Sequence, residues 1–360
     1  MSITEAPVSF QIAAGCSLLG ALLRRNVWYN QVRFRVYPNM SSLLVGPSGI
    51  GKDTTINAAM GVLNKVAPTL QVEGRTIERL YDRLIGQGDP ACAAVPAQEV
   101  SAFFGQKDYQ KGMVQEITDL LSTGDYKDVS TKANPGARIL HPTVTMFSGS
   151  TVEWIHRAMP EGSMEGGFWP RFLIVCEEYP ARKVASVSHS NTVAELATSE
   201  HSSRALLNQL TATAERFRHY PHGVVFLEDA YYVYNNWYHN RDKIFSEAVR
   251  PYAHRGRDQF LRLALLCAVS RGNDFIDVPD VVFAREVMKT VAGQIDKVLI
   301  APTVEAQAAK EILKLLPAGM EQVTEIMTRK YPRRILRDAM ANLLESGQAK
   351  VENRRLVRVV

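Results

Sequence analysis

The stretch that most restricts how this chain can fold is SSLLVGPSGIGKDTTINAAM, residues 41–60. A short apolar run enters a glycine-rich turn. The segment leaving that turn has apolar residues at helical spacing, with Ile56, Met60, Val62 and Leu63 as its expected buried positions. Strand, turn and helix in that order suit a phosphate cradle: glycines let successive backbone N–H groups turn inward, and the helix start adds partial positive charge. Gly46, Pro47, Ser48, Gly49, Ile50 and Gly51 form the candidate cradle, and Lys52 reaches the terminal phosphates. The bare spacing GxxxxGK arises by chance in roughly one chain of this length in ten, so the flanking strand and helix carry the reading. Asp53 stands where such loops place a Ser or Thr that binds Mg²⁺. Its carboxylate is itself a hard magnesium ligand, and its charge beside the phosphates makes affinity without metal poor. Thr54, one residue further along the helix, points about 100° away.

The alternation continues downstream. TIERLYDRL reads as helix, ACAAVPAQE as strand, YQKGMVQEITDLLSTG as helix, PTVTMFSGS as strand, TVEWIHRAM as helix and RFLIVCEE as strand. Strands alternating with helices imply an α/β fold with a largely parallel sheet covered on both faces. At the end of the second strand Glu99 is placed to orient an attacking water, or is a solvent-exposed loop residue. Ser148, Ser150 and Thr151 end the third. Ser148 is the expected γ-phosphate sensor, and the same hydroxyls can cap the helix starting at Thr151. In EGSMEGGFWPRFLIVCEE a glycine-rich turn delivers Arg171, as suits an arginine completing a neighbouring subunit's site; the plainer alternative is a pair with Glu177 or Glu178.

Here the sequence resembles a known group. GGFWPRFLIV is similar to the arginine-finger region of the minichromosome-maintenance helicases. It is closer still to that of the phage and prophage P-loop ATPases described as helicase-like or replication-associated. HRGRDQFLRLALLCAVSRGNDFIDVPDVVFA resembles the lid of the same group, and the likeness covers roughly residues 40–300. It implies an AAA+-like P-loop core in which Arg171 is the finger and Arg255 the lid arginine that contacts nucleotide, with Arg257 as its substitute. ATP and Mg²⁺ are the implied ligands. An arginine supplied in trans implies a homo-oligomeric ring or helix, a hexamer being the natural number. Gln98 stands where an Asp typically precedes the glutamate of such sites, which leaves Asp53 the more plausible charged metal ligand.

Residues 8–38 read as helical, and the apolar run Ile12–Leu23 as a packed amphipathic helix too short to span a bilayer. The Ser-rich stretch 182–203 reads as a linker and residues 204–301 as a helical lid subdomain. Within it Tyr231, Tyr234 and Tyr238 recur at helical spacing, which favours core packing over base stacking. From 302 to 360 the order helix, helix, helix, hairpin matches a winged helix-turn-helix. That tail holds eleven Lys/Arg against seven Asp/Glu, so it carries +4 of the chain's net +5. Arg333, Arg334 and Arg337 at the third helix and Arg354 and Arg355 at the wing turn are the expected DNA contacts, mostly to phosphates; the alternative is a protein-interaction module. The expected segments are therefore 1–38, 39–181, 182–203, 204–301 and 302–360.

Cys16, Cys92, Cys176 and Cys267 lie far apart in apolar contexts and form no metal-ligand pattern. Buried free thiols suit a reducing cytoplasm, that of a bacterial or phage-infected cell. The expectation is a DNA-acting ATPase, motor or remodeller, with an ATP-switched DNA-binding regulator or loader as the alternative.

Overall fold

The computed structural model describes residues 5–31, 34–72, 76–100, 112–122, 124–158, 167–181, 193–300, 304–352 and 355–358. Two compact units divide it, Met1–Leu299 and Ile300–Val360.

The first unit begins with α1 (Val8–Leu23), β1 (Val27–Asn30), β2 (Arg35–Val36), β3 (Ser41–Val45) and α2 (Lys52–Val66). Next come α3 (Ile77–Gln87), β4 (Cys92–Ala97), α4 (Met113–Leu120), a hairpin of β5 (Tyr126–Val129) and β6 (Ala137–Leu140), β7 (Thr143–Ser150), α5 (Val152–Ala158) and β8 (Phe172–Cys176). Then follow α6 (Val193–His219), β9 (His222–Phe226), α7 (Glu228–Asn240), α8 (Arg250–Ser270), β10 (Phe275–Ile276) and α9 (Val278–Leu299).

Four strands make a parallel sheet in the order β4-β7-β3-β8. All five residues of β3 and of β8 and all eight of β7 are buried, the pattern of strands covered on both faces. Val45, the last residue of β3, aligns with Ser150 on one side and Cys176 on the other, so three strands end level where the glycine loop begins. A second sheet, β10-β9-β1-β2, is parallel except where β2 turns back on β1.

Four expectations need correction. Residues 8–38 are not helical throughout, since α1 ends at Leu23 and Val27–Asn30 then pairs with β9 as a strand. Nor is α1 amphipathic: Phe10, Ala13, Ala14 and every residue from Leu18 to Leu23 are buried, because sheet strands and the helices α2, α6 and α8 all pack against it. Gly20 permits one of these approaches, as a Cβ there would lie 2.3 Å from the Pro38 carbonyl oxygen. The expected linker is helical from 193 onward, within α6, and residues 182–192 lie outside the described residues. The helices expected as a separate lid share one core with the sheet, α9 lying along β8 with Gln294 Oε1 accepting from the Cys176 amide at 3.0 Å.

In the aromatic run Tyr234 and Trp237 are the buried pair, packed on Phe260, while Tyr231 is 46 % exposed. Cys16, Cys92 and Cys176 are buried free thiols, and Cys267 is half-buried. No helix among the described residues is long and apolar enough to cross a membrane.

The second unit contains α10 (Val304–Leu315), β11 (Ala318–Gly319), α11 (Met320–Met327), α12 (Arg333–Glu345), β12 (Ala349–Glu352) and β13 (Arg355–Arg358). Its strands form an antiparallel sheet in the order β11-β13-β12. Ile312, Val323, Leu336, Leu343 and Leu356 belong to a core of its own.

Candidate functional site

At the carboxyl end of the parallel sheet the chain leaves β3 and turns through Gly46–Gly51 into α2. Gly49 and Gly51 have φ of +83° and +94°, left-handed values that an L side chain resists. A Cβ on Gly46 would lie 2.4 Å from the Glu177 carbonyl oxygen, so the loop starts pressed against the end of β8. A Cβ on Gly51 would lie 2.9 Å from that of Ala6. The segment around Ala6 is tied to the same place: the Ala181 amide donates to Glu5 O at 3.0 Å, and Ser9 Oγ to Glu177 Oε1 at 2.5 Å.

Lys52 is buried and folds back over the loop, with Nζ donating to Gly46 O at 2.6 Å and to Pro47 O at 2.8 Å. Burial lowers its pKa, and the carboxylates of Asp53 and Glu99 pull it partly back. An anion in the cradle replaces two neutral acceptors with a charged one, which the buried ammonium favours. Asp53 and Thr54 are exposed on the first turn of α2. Thr55 is turned away, its hydroxyl donating to Gly51 O at 2.8 Å.

Glu99 lies two residues past β4 and accepts a hydrogen bond from Ser150 Oγ at 2.5 Å. Gly149 lets the two strand ends meet, since a Cβ there would be 2.7 Å from Gln98 O. Gln98 turns to α2 instead, Nε2 donating to Asn57 Oδ1 at 3.0 Å. Ser148, the expected sensor, and Ser150 are both fully buried; Ser148 lies opposite Leu43, and Ser150, opposite Val45, meets the loop, its carbonyl accepting from the Gly46 amide at 3.2 Å. Both lie on one face of β7, and only the register tells them apart.

Arg171 stands at the other edge. It immediately precedes β8, whose first residue pairs with Ser41 and whose last pairs with Val45. At ~3.3 Å per residue those four steps separate Arg171 from its own glycine loop by roughly 13 Å or more. It pairs with neither Glu177 nor Glu178, which bond Ser9 and Lys297. Its Nη1 donates to Gly167 O at 2.5 Å, and its Nε and Nη2 to Ser122 Oγ at 3.1 and 2.7 Å. Burial, and then the charges of Arg255 and Arg262, hold its pKa down to about 10.

Arg255, expected at the nucleotide of its own subunit, also belongs to this opposite edge. Tyr252 Oη donates to Phe172 O at 2.8 Å and Gln259 Nε2 to Pro170 O at 3.2 Å. The turns of α8 on either side of Arg255 are thereby pinned to the chain entering β8. Arg257, its expected substitute, pairs with Asp258 at 3.0 Å. Arg35, Ser122 and Arg262 were not foreseen; Arg262 lies two helical turns from Arg255 on the same face, a spacing that could have revealed it.

In the second unit Arg333, Arg334 and Arg337 are exposed at the start of α12, with Arg334 Nε 3.9 Å from Asp338 Oδ2. Arg355 is exposed opposite Glu352 in the hairpin, and Arg354 lies outside the described residues. No group of three or more His, Cys, Asp or Glu side chains gathers as a metal site among the described residues.

Comparison with known proteins finds no family model that matches this chain and no curated protein that matches it.

Proposed function

We propose that the chain is an ATP-binding and ATP-hydrolysing P-loop enzyme of the AAA+ kind that acts on DNA, helicase-like, in phage or mobile-element replication. The observation that carries this reading is the meeting of the Gly46–Gly51 loop, Lys52 and the Glu99–Ser150 pair at one end of a parallel sheet, where β7 lies between β3 and β4. Phosphate is held where strand ends, glycine amides and a helix start converge. In this reading Lys52 exchanges the carbonyls of Gly46 and Pro47 for the terminal phosphates. Glu99, oriented by Ser150, takes the proton of the attacking water. Asp53, exposed on the first turn of α2, supplies hard carboxylate oxygens that would hold Mg²⁺, and the ion would neutralise phosphate charge.

Arg171 cannot serve its own loop, so it acts on the loop of a neighbouring copy, which supports a homo-oligomeric ring or helix, most simply a hexamer. The second unit is a winged helix-turn-helix in this reading, meeting DNA phosphates with Arg333, Arg334, Arg337 and the Arg354–Arg355 turn. Asp53 in place of a hydroxyl residue favours a second reading, an ATP-switched DNA-binding regulator or loader with little turnover.

ATPase assays with and without single- and double-stranded DNA separate the two. A motor shows DNA-stimulated turnover abolished in Lys52→Ala, and a switch shows ATP-dependent assembly with turnover near zero. No nucleotide binding at all by the unaltered chain overturns both.

A further inference from the structure

A cavity of about 310 Å³ opens at the amino edge of the parallel sheet, remote from the glycine loop. Four guanidinium groups line it: Arg35 from β2, Arg171 ahead of β8, and Arg255 and Arg262 from α8. Among the described residues Asp258 is the only carboxylate in the lining, so these walls carry four positive charges against one negative, and that carboxylate already faces Arg257. None of the four arginines forms an ion pair among the described residues. Arg171 is bonded only to neutral oxygens, of Gly167 and Ser122. Arg35 stacks on the ring of Trp28 at 4.3 Å. Gln259, 1 % exposed, leaves Oε1 without a donor, and the buried Nε of Arg262 has no acceptor among the described residues.

Like charges gathered in one cavity, with one guanidinium nitrogen shielded from water and lacking an acceptor among the described residues, favour an occupant of opposite sign. Guanidinium forks match the oxygens of phosphate, two parallel N–H groups to each edge. A terminal phosphate carries about −1.5 to −2 at neutral pH, against −1 for a backbone diester, and so answers a net +3 better. Gly167 packs against two of these side chains, since a Cβ there would lie 2.8 Å from Arg171 Nη1 and 3.3 Å from Arg255 Nη2.

We propose that this cavity is a second phosphate site, which takes a dianionic phosphoryl group in a subunit whose Arg171 is not engaged with a neighbouring copy, and which works independently of that subunit's own glycine loop. Free orthophosphate and the terminal phosphate of a nucleotide share that chemistry. Thermal unfolding of the full chain carrying Lys52→Ala, titrated with inorganic phosphate or with ADP against sodium chloride of equal ionic strength, tests it. Phosphate still raises the melting temperature of Lys52→Ala, and Arg255→Gln in the same background weakens the apparent affinity tenfold or more. Arg255 is exposed, so its replacement leaves the fold intact by circular dichroism. A matching response to ADP assigns the site to nucleotide ends, and a response to phosphate alone assigns it to the free ion. Absence of any shift in Lys52→Ala, or a shift untouched by Arg255→Gln, overturns the proposal. Failure of ATP binding at Lys52 leaves this outcome unaffected, so the two ideas stand or fall separately.

Discussion

Gly51 shows how narrowly the loop is specified. Its φ of +94° and the contact with Ala6 leave no room for a methyl group. Gly51→Ala is expected to destabilise the first unit by about 1–3 kcal/mol, read as a lower midpoint in urea. Arg171→Ala has a different signature. Nucleotide binding persists and kcat falls by roughly 10³ or more, while mixing it with inactive Lys52→Ala restores part of the activity, because each variant supplies what the other lacks. Failure of the mixture to recover any turnover contradicts the action between copies. Lys52 and Glu99 were legible in the sequence because glycine spacing and a strand end mark them. Ser150 was not separable from Ser148, since strand register is a long-range property. The place of Arg255 beside Arg171 was not legible, because it depends on Tyr252 and Gln259 gripping a segment 80 and 89 residues earlier.

Among the elements, the loop joining β5 to β6 is tied to α3 by one carboxylate. Thr131 Oγ1 at 2.6 Å and Asn134 Nδ2 at 2.9 Å both donate to Asp82 Oδ1 on α3. The Thr131 bond, then that of Asn134, lowers the Asp82 pKa below the usual carboxylate value. A carboxylate with a depressed folded pKa contributes its stability above the unfolded pKa of ~3.9 and loses it as the pH falls through the lower folded value. Amide exchange in residues 125–140 is therefore expected to quicken below about pH 4, and in Asp82→Ala to be equally quick at pH 7. Protection unchanged in the variant rules out the pin. The hairpin itself escaped sequence reading because its polar strands, YKDV and ARIL, bury little on either face. The opposite error befell α1, whose second half is buried all round and whose exposed positions, Val8, Ile12 and Gly15, are apolar, so it lacks the polar stripe by which helices are placed at a surface. At the start of α9, fully buried Asp280 accepts from the Asp277 amide at 2.9 Å and from Arg271 Nη1 at 3.0 Å. Asp280→Ala strands that amide, whereas Arg271, half-exposed, turns to water; a loss of about 1–3 kcal/mol follows, measurable by chemical denaturation.

On the scale of the whole chain, the separate cores of the two units predict separate folding. A fragment of residues 300–360 is expected to melt cooperatively on its own, although a unit of this size is only marginally stable. Arg333→Ala with Arg334→Ala leaves that melt unchanged and, on the proposed reading, weakens DNA binding and flattens its dependence on salt by about one log unit per lost phosphate contact. An unaltered salt slope removes α12 from the interface. The break near residue 300 was visible as a change of composition and a helix stop, both local signals. The union of sheet and late helices into one unit was not, for it rests on contacts such as Cys176 with Gln294 that span more than a hundred residues. Finally, the strand of chain at Glu5 and Ala6 lies against Gly51 and is bonded to Ala181. An affinity handle or fluorescent reporter fused ahead of Glu5 is thus delivered beside the glycine loop, and assays of the proposed nucleotide occupancy are best run on protein labelled at its carboxyl terminus.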